Sequence, residues 1–272
     1  MGKLEGKVAF ITGVARGQGR SHAVALAREG ADIVGIDICG PIAAVGYALA
    51  SEADLDETVG LVEAEGRAMV ASVADVRDQA SVIGSVEAGM ASFGRLDIVV
   101  ANAGIIPVPA PGVVEEEAWG AALDVMLTGT WHTLRATAPV LVEGGRGGSI
   151  VIISSSAGLQ GFPDLWGGVL GYAAAKHGVV GLMRSYATVL APHGIRVNSV
   201  HPTGVRTPMV ENEVFGRYMA EHPEVAGSFV TRLPVPVLDP ADVTGAVLYL
   251  VSDEARAVTG ITLPVDAGLT AG

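Results

Sequence analysis

The chain has 272 residues, half of them apolar and only 17% charged, with a net charge of −12. That charge repels nucleic acid and anionic lipid surfaces, and no uninterrupted apolar run reaches the ~18 residues a membrane span needs. The single cysteine, Cys39, excludes an internal disulfide or a cysteine metal cage, and the six histidines are too scattered for a local ligand motif, so no metal is expected.

The N-terminus, MGKLEGKVAFITG, runs straight into a strand-like segment without the features of a signal peptide, so a cytoplasmic location is expected. Length and composition predict one domain over residues 1–272. Short Val- and Ile-rich runs alternate with longer Ala-rich segments of helical spacing, the pattern of a doubly wound parallel α/β sheet. Strands are predicted at Val8–Thr12, Asp32–Asp37, Ala68–Ser72, Asp97–Ala101, Ser149–Ser154, Arg196–Val200 and Thr262–Val265. Helices are predicted near 18–29, 53–65, 79–92, 116–142, 172–191 and 240–252. Ser51 with Asp54, and Asp239 before Pro240, supply helix starts. Residues 38–50 and 201–238 interrupt the alternation. The second stretch begins with HPTGVRTPM at the carboxyl end of a strand, where open α/β sheets bind ligands, and reads as a substrate lid.

The first predicted strand runs into Gly13, Gly17 and Gly19 and then a helix, a context in which glycines let the backbone approach a pyrophosphate at a helix N-terminus. Asp37 ends the second strand, where a carboxylate can accept hydrogen bonds from a ribose diol. A tight turn explains the glycines equally, and a turn residue explains Asp37, but the two together point to a dinucleotide. An aspartate ~4 Å from a 2′-phosphate costs about 4 kcal/mol at an effective dielectric near 20, which selects NAD over NADP.

Tyr172 and Lys176 stand four apart, so a helix presents both on one face, and the chain has only two other lysines, Lys3 and Lys7. A surface lysine beside a packed tyrosine is the plainer account, yet the neighbours Ala173–Ala175 are small and apolar. A tyrosine must drop about three pKa units, roughly 4 kcal/mol, to accept a proton near neutrality, and an ammonium ~4 Å away supplies a contribution of that order. Ser154, Ser155 and Ser156 end another strand. One of them can polarise a carbonyl oxygen, or all three can serve as turn residues.

TGVARGQG, ANAG, SSSAG, YAAAK and HPTGVRTPM, in this order, resemble the short-chain dehydrogenase/reductase family over essentially the whole chain. The resemblance implies a Rossmann-type sheet of about seven strands, NAD-dependent hydride transfer and a homotetramer. It places the catalytic serine, tyrosine and lysine on Ser155, Tyr172 and Lys176, with Lys176 also holding the nicotinamide ribose. It assigns cofactor contacts to Gly13, Arg16, Gly17, Gln18, Gly19, Asp37, Ile38, Asp75, Val76, Asn102, Ala103, Gly104, Pro202, Val205 and Thr207, besides Tyr172 and Lys176. The serine-to-tyrosine spacing is some four residues longer than the family's usual, so DLWGGVLG looks like a local insertion. Within the family the chain looks like the carveol dehydrogenase-like, mycofactocin-coupled branch. That implies apolar secondary alcohols or ketones as substrates, an external electron acceptor, and in some members a cofactor that does not exchange. Residues 38–50 would then cover the adenosine. Met126 stands where the family has an asparagine implied to position a water that relays protons from the lysine; restoring Asn raises turnover if that relay is limiting. Two other readings compete: a dinucleotide sensor that has lost its chemistry, and a sugar epimerase or dehydratase relative.

Overall fold

A computed structural model describes residues 2–271. Seven strands form one all-parallel sheet: β1 (Val8–Thr12), β2 (Asp32–Asp37), β3 (Met69–Val73), β4 (Ile98–Ala101), β5 (Gly148–Ile153), β6 (Ile195–Pro202) and β7 (Thr262–Val265), in the order β3-β2-β1-β4-β5-β6-β7. Every residue of β1 and β4 is buried, as expected of central parallel strands covered on both faces.

Two apolar layers cover the sheet. One packs α1 (Gly17–Arg28), α2 (Glu52–Ala64) and α9 (Pro240–Val251) through residues such as Leu26, Leu55 and Val247. The other packs α3 (Gln79–Phe93), α4 (Glu115–Leu123), α5 (Gly129–Gly144) and α6 (Gly167–Leu190) through Val82, Ala122, Leu134 and Val179. A small third cluster, built on Val108, Val169, Tyr218 and Val225, holds the lid helices α7 (Glu213–Glu221) and α8 (Pro223–Gly227). Strand order reverses between β1 and β4, which opens a crevice at their carboxyl ends.

The expected helix starts are present: Ser51 and Asp54 form a reciprocal capping box, and Asp239 and Asp242 form another ahead of Pro240. Most boundaries shift by only one or two residues, and three differences from the sequence expectation have an identifiable physical cause. The helix expected over 116–142 is two helices joined by a π-helical turn, Asp124–Thr128, with Met126 at its centre. There Thr130 Oγ1 donates to the Met126 carbonyl at 2.6 Å, and such turns favour functional sites. The helix expected from residue 172 begins at Gly167, because Glu115 Oε1 accepts the Gly167 N–H at 2.8 Å and stabilises an extra turn. Asp97 lies just outside β4, its carboxylate accepting from the Val8 N–H at 2.9 Å and paired with Arg95.

Candidate active site

The crevice at the β1–β4 switch is an open cleft lined by the β1–α1 loop and the ends of β2 and β4. Its floor is the loop from β1 to α1. A Cβ on Gly19 would sit 2.0 Å from the Gly13 carbonyl oxygen, so the turn exists only with glycine there. The loop is stitched to the next strand end. Thr12 Oγ1 accepts from the backbone N–H groups of Asn102 and Ala103 at 3.0 Å each, and Asn102 Nδ2 donates to the carbonyls of Thr12 and Gly13.

Asp37 stands at the cleft wall, with Oδ2 accepting from the Ala15 N–H at 3.0 Å. Burial raises its pKa, while the N–H groups of Ala15, Cys39 and Ile38 and the Arg16 charge oppose the rise. Its remaining lone pairs are available to a diol. Asp75 also borders the cleft, its carboxylate chelated by Arg77.

Ser155, Tyr172 and Lys176 come together beside this cleft. Lys176 is buried, and its Nζ donates to the Ile153 carbonyl at 2.8 Å and lies 5.7 Å from the Tyr172 ring centre. A Cβ on Gly104, which borders the cleft, would lie 3.7 Å from Lys176 Nζ, so the trio adjoins the cleft through that residue. The three serines separate by partner. Ser154 Oγ donates to the Lys176 carbonyl at 2.9 Å. Ser155 Oγ accepts from the Ala157 N–H at 3.1 Å, which leaves its own proton free, and it is the serine beside Tyr172. Ser156 Oγ is buried without a partner.

Burial raises the Tyr172 hydroxyl above its ordinary pKa, and the opposing effect comes from the Ser155 hydroxyl. Burial lowers Lys176 to about 8. Lys176 Nζ gives one of its N–H groups to the Ile153 carbonyl, and the effect that opposes the rise at Tyr172 comes from the neighbouring Ser155 hydroxyl.

Of the other residues expected at a cofactor, Gly13, Arg16, Gly17, Gln18, Gly19, Ile38, Val76, Asn102, Ala103, Gly104 and Thr207 border the cleft. Pro202 and Val205 do not. Pro202 is paired with Val265 at the end of β6, and Val205 is turned into the core against Leu238. Backbone pairing, invisible in the local motif, fixes both. Residues 38–50, expected to cover the adenosine, border the cleft through Ile42, Tyr47, Leu49 and Ala50, none of which was singled out by the sequence. The segment is tied down twice, by Arg16 Nη2 donating to the Ala48 carbonyl at 2.5 Å and by the Ile106 N–H donating to the Tyr47 hydroxyl at 3.1 Å. A lone tyrosine in a segment without helical or strand spacing was the available signal.

The comparisons with known proteins accord with this geometry. A family model described as enoyl-(acyl carrier protein) reductase matches residues 13–270. The chain belongs to the short-chain dehydrogenase/reductase family. It is 55% identical over 269 residues to an uncharacterized oxidoreductase of Mycobacterium tuberculosis, covering 97% of this chain and 96% of that one. It is 47% identical over 279 residues to the (-)-trans-carveol dehydrogenase of Rhodococcus erythropolis, covering 99% of each. Among solved structures it resembles carveol dehydrogenase from Mycobacterium avium in complex with NAD, with a TM-score of 0.93, 46% identity and full coverage of both chains.

The residues present fit a dinucleotide. The glycine cradle admits close backbone approach, Asp37 keeps lone pairs for a ribose, and Gln18 Oε1 is a buried acceptor without a partner within the protein. Among the described residues no cluster of three or more His, Cys, Asp or Glu is placed to hold a metal ion, and no helix is long and apolar enough to cross a membrane.

Proposed function

We propose that this enzyme passes a hydride between an apolar secondary alcohol or its ketone, cyclic or terpenoid in character, and NAD. The observation that carries the reading is the convergence of Ser155, Tyr172 and the buried Lys176 beside a glycine-floored cleft that Asp37 borders.

Bound NAD supplies the hydride acceptor. The chain's own residues do the rest. The glycine loop and the α1 N-terminus hold the pyrophosphate, and Asp37 accepts from the adenosine ribose. Ser155, its oxygen pinned by the Ala157 N–H, donates its proton to the substrate oxygen. Tyr172 takes the hydroxyl proton of the alcohol as the C–H bond breaks toward the nicotinamide, and in the ketone direction returns it. Lys176, held at the Ile153 carbonyl, keeps two further N–H donors for the nicotinamide ribose.

One domain spans 1–272 in this reading, with residues 38–50 as a cofactor flap and 201–238 as the substrate lid. Phe215, Met219 and Phe229 in the lid, with Trp166 beside it, support an apolar substrate. The 38–50 flap supports a tightly held cofactor; recycling by an external electron acceptor, as in the mycofactocin-coupled branch, and a cytoplasmic location belong to the same proposal. Exposed Trp119, Trp131 and Leu170 on α4, α5 and α6 support a homotetramer built on those helices.

The test follows NADH absorbance with a panel of cyclic and terpenoid secondary alcohols, with and without an artificial electron acceptor. Turnover abolished by Tyr172→Phe with NAD binding retained is the expected result. A Phe variant of ordinary activity rules the mechanism out.

A further inference from the structure

Behind Ser155 lies a buried polar chain that the hydride-transfer reading leaves unused. His201 is the penultimate residue of β6 and is fully buried. Its Nδ1 is 2.8 Å from the Ser155 carbonyl oxygen, and its Nε2 is 2.8 Å from Ser199 Oγ. A carbonyl oxygen only accepts, so the proton of this bond sits on Nδ1. Nε2 of a neutral ring then carries the lone pair, and Ser199 donates to it. The ring is neutral because burial lowers its pKa to about 4, and nearby Lys176 and His177 push the same way against the Ser155 carbonyl and Asp266.

We propose that His201 is a positioning residue for Ser155, a role that rests on the dehydrogenase reading above. Ser155 has an extended backbone (φ −167°, ψ 163°) and precedes the short 3-10 turn Ser156–Gly158, a junction at which β5 pairing has ended. Three contacts define it there: the Ala157 N–H on Oγ, and on the main-chain carbonyl the Gly158 N–H at 2.9 Å and the His201 ring. The two N–H contacts lie within the turn and move with it. The His201 contact ties the turn to β6, the neighbouring strand, whose own register with β5 is set by six residue pairs from Gly148–Ile195 to Ile153–Val200. The sheet thereby fixes where the Ser155 hydroxyl points relative to Tyr172, which is carried on α6. A serine displaced by even ~1 Å loses much of its effect on a developing alkoxide.

The experiment compares His201→Leu, which keeps the volume and removes the donor, with His201→Asn, whose amide can take the place of Nδ1. In the Leu variant kcat should fall about tenfold to a hundredfold, with KM and the NAD dissociation constant nearly unchanged, and the Asn variant should recover most of the loss. In Ser155→Ala the added Leu substitution should cost little more, because both act through one hydroxyl. A Leu variant of wild-type kcat, or losses that multiply in the double variant, overturns the inference. Imidazole ¹⁵N shifts of the wild-type protein give a readout independent of turnover: a proton on Nε2 instead of Nδ1 overturns it as well. Absence of alcohol turnover in the wild type would count against the dehydrogenase reading itself, and the tautomer would still decide the role of His201.

Discussion

Lys176 Nζ donates to the main-chain carbonyl of Ile153 at 2.8 Å, so the ammonium is tied to the same strand end that leads into Ser155. Lysine and serine are placed by one piece of backbone, while the tyrosine is placed by the helix.

Replacing Lys176 with Met leaves the Ile153 carbonyl without its side-chain partner in a buried site, at a cost of about 1–3 kcal/mol. Lys176→Arg does not rescue, since a planar guanidinium is too large for a pocket shaped to a slim ammonium. The desolvation that lowers Lys176 to about 8 is relieved in the Met variant and offsets that cost, so calorimetry should show little change in melting temperature, while NADH formation should be lost in both.

Asp37→Asn removes the charge at the cleft wall while one amide oxygen can still accept the Ala15 N–H. Relief of a repulsion of about 4 kcal/mol raises NADP affinity on the order of a hundredfold or more, and NAD affinity falls modestly. Titration with both reduced cofactors checks it. Unchanged discrimination would place selectivity elsewhere.

The Tyr218 hydroxyl on α7 donates to the Asp164 carboxylate, which also accepts the Trp166 N–H at 2.8 Å. The local insertion therefore latches the lid. Tyr218→Phe loses a charge-assisted bond of about 1.5–3 kcal/mol, so proteolysis within 207–238 should quicken and KM for alcohols should rise about tenfold. Asp164→Asn, which keeps an acceptor, should change both less.

His22 is buried on α1, with Nδ1 2.8 Å from Thr244 Oγ1 on α9, and burial lowers its pKa to about 3. Below the ordinary value of 6.5 the unfolded chain takes a proton that the folded chain refuses down to about pH 3. Its stabilising contribution is complete above that ordinary value and declines as pH drops toward 3. Between pH 6 and 4 the His22→Leu variant should lose stability less steeply, by about 1.4 kcal/mol per pH unit. Denaturant titrations at several pH values measure the slope.

Met126 is 1% exposed at the centre of the π turn, with its carbonyl already accepting from Thr130. Met126→Asn puts an amide into the apolar layer and should cost about 1–3 kcal/mol, lowering the melting temperature by a few degrees. The backbone carbonyl is unchanged, so turnover should stay within about twofold. A clear rise would mean that the missing amide limits proton exchange.

The strand pattern, the glycine loop and the Tyr172–Lys176 pair were legible because each rests on periodicity or on spacing along one element. All seven strands lie within two residues of where alternation predicted them. The serine could not be chosen from three adjacent hydroxyls by physical reasoning on the sequence, because the choice lies in which partners face each one: the Lys176 carbonyl for Ser154, Tyr172 and the Ala157 N–H for Ser155. Tertiary contacts likewise place Val205 against Leu238 and fix how the 38–50 segment, expected to cover the adenosine, is held, through the bonds of Tyr47 to Ile106 and of Ala48 to Arg16. Sequence alone determined the parallel sheet, its glycine loop and the shared helix face of Tyr172 and Lys176, since these depend on neighbours a few residues apart. Only the tertiary structure decided which serine meets the tyrosine, what the lysine binds and what holds the lid, since those contacts join residues tens of positions apart whose orientations the sheet sets.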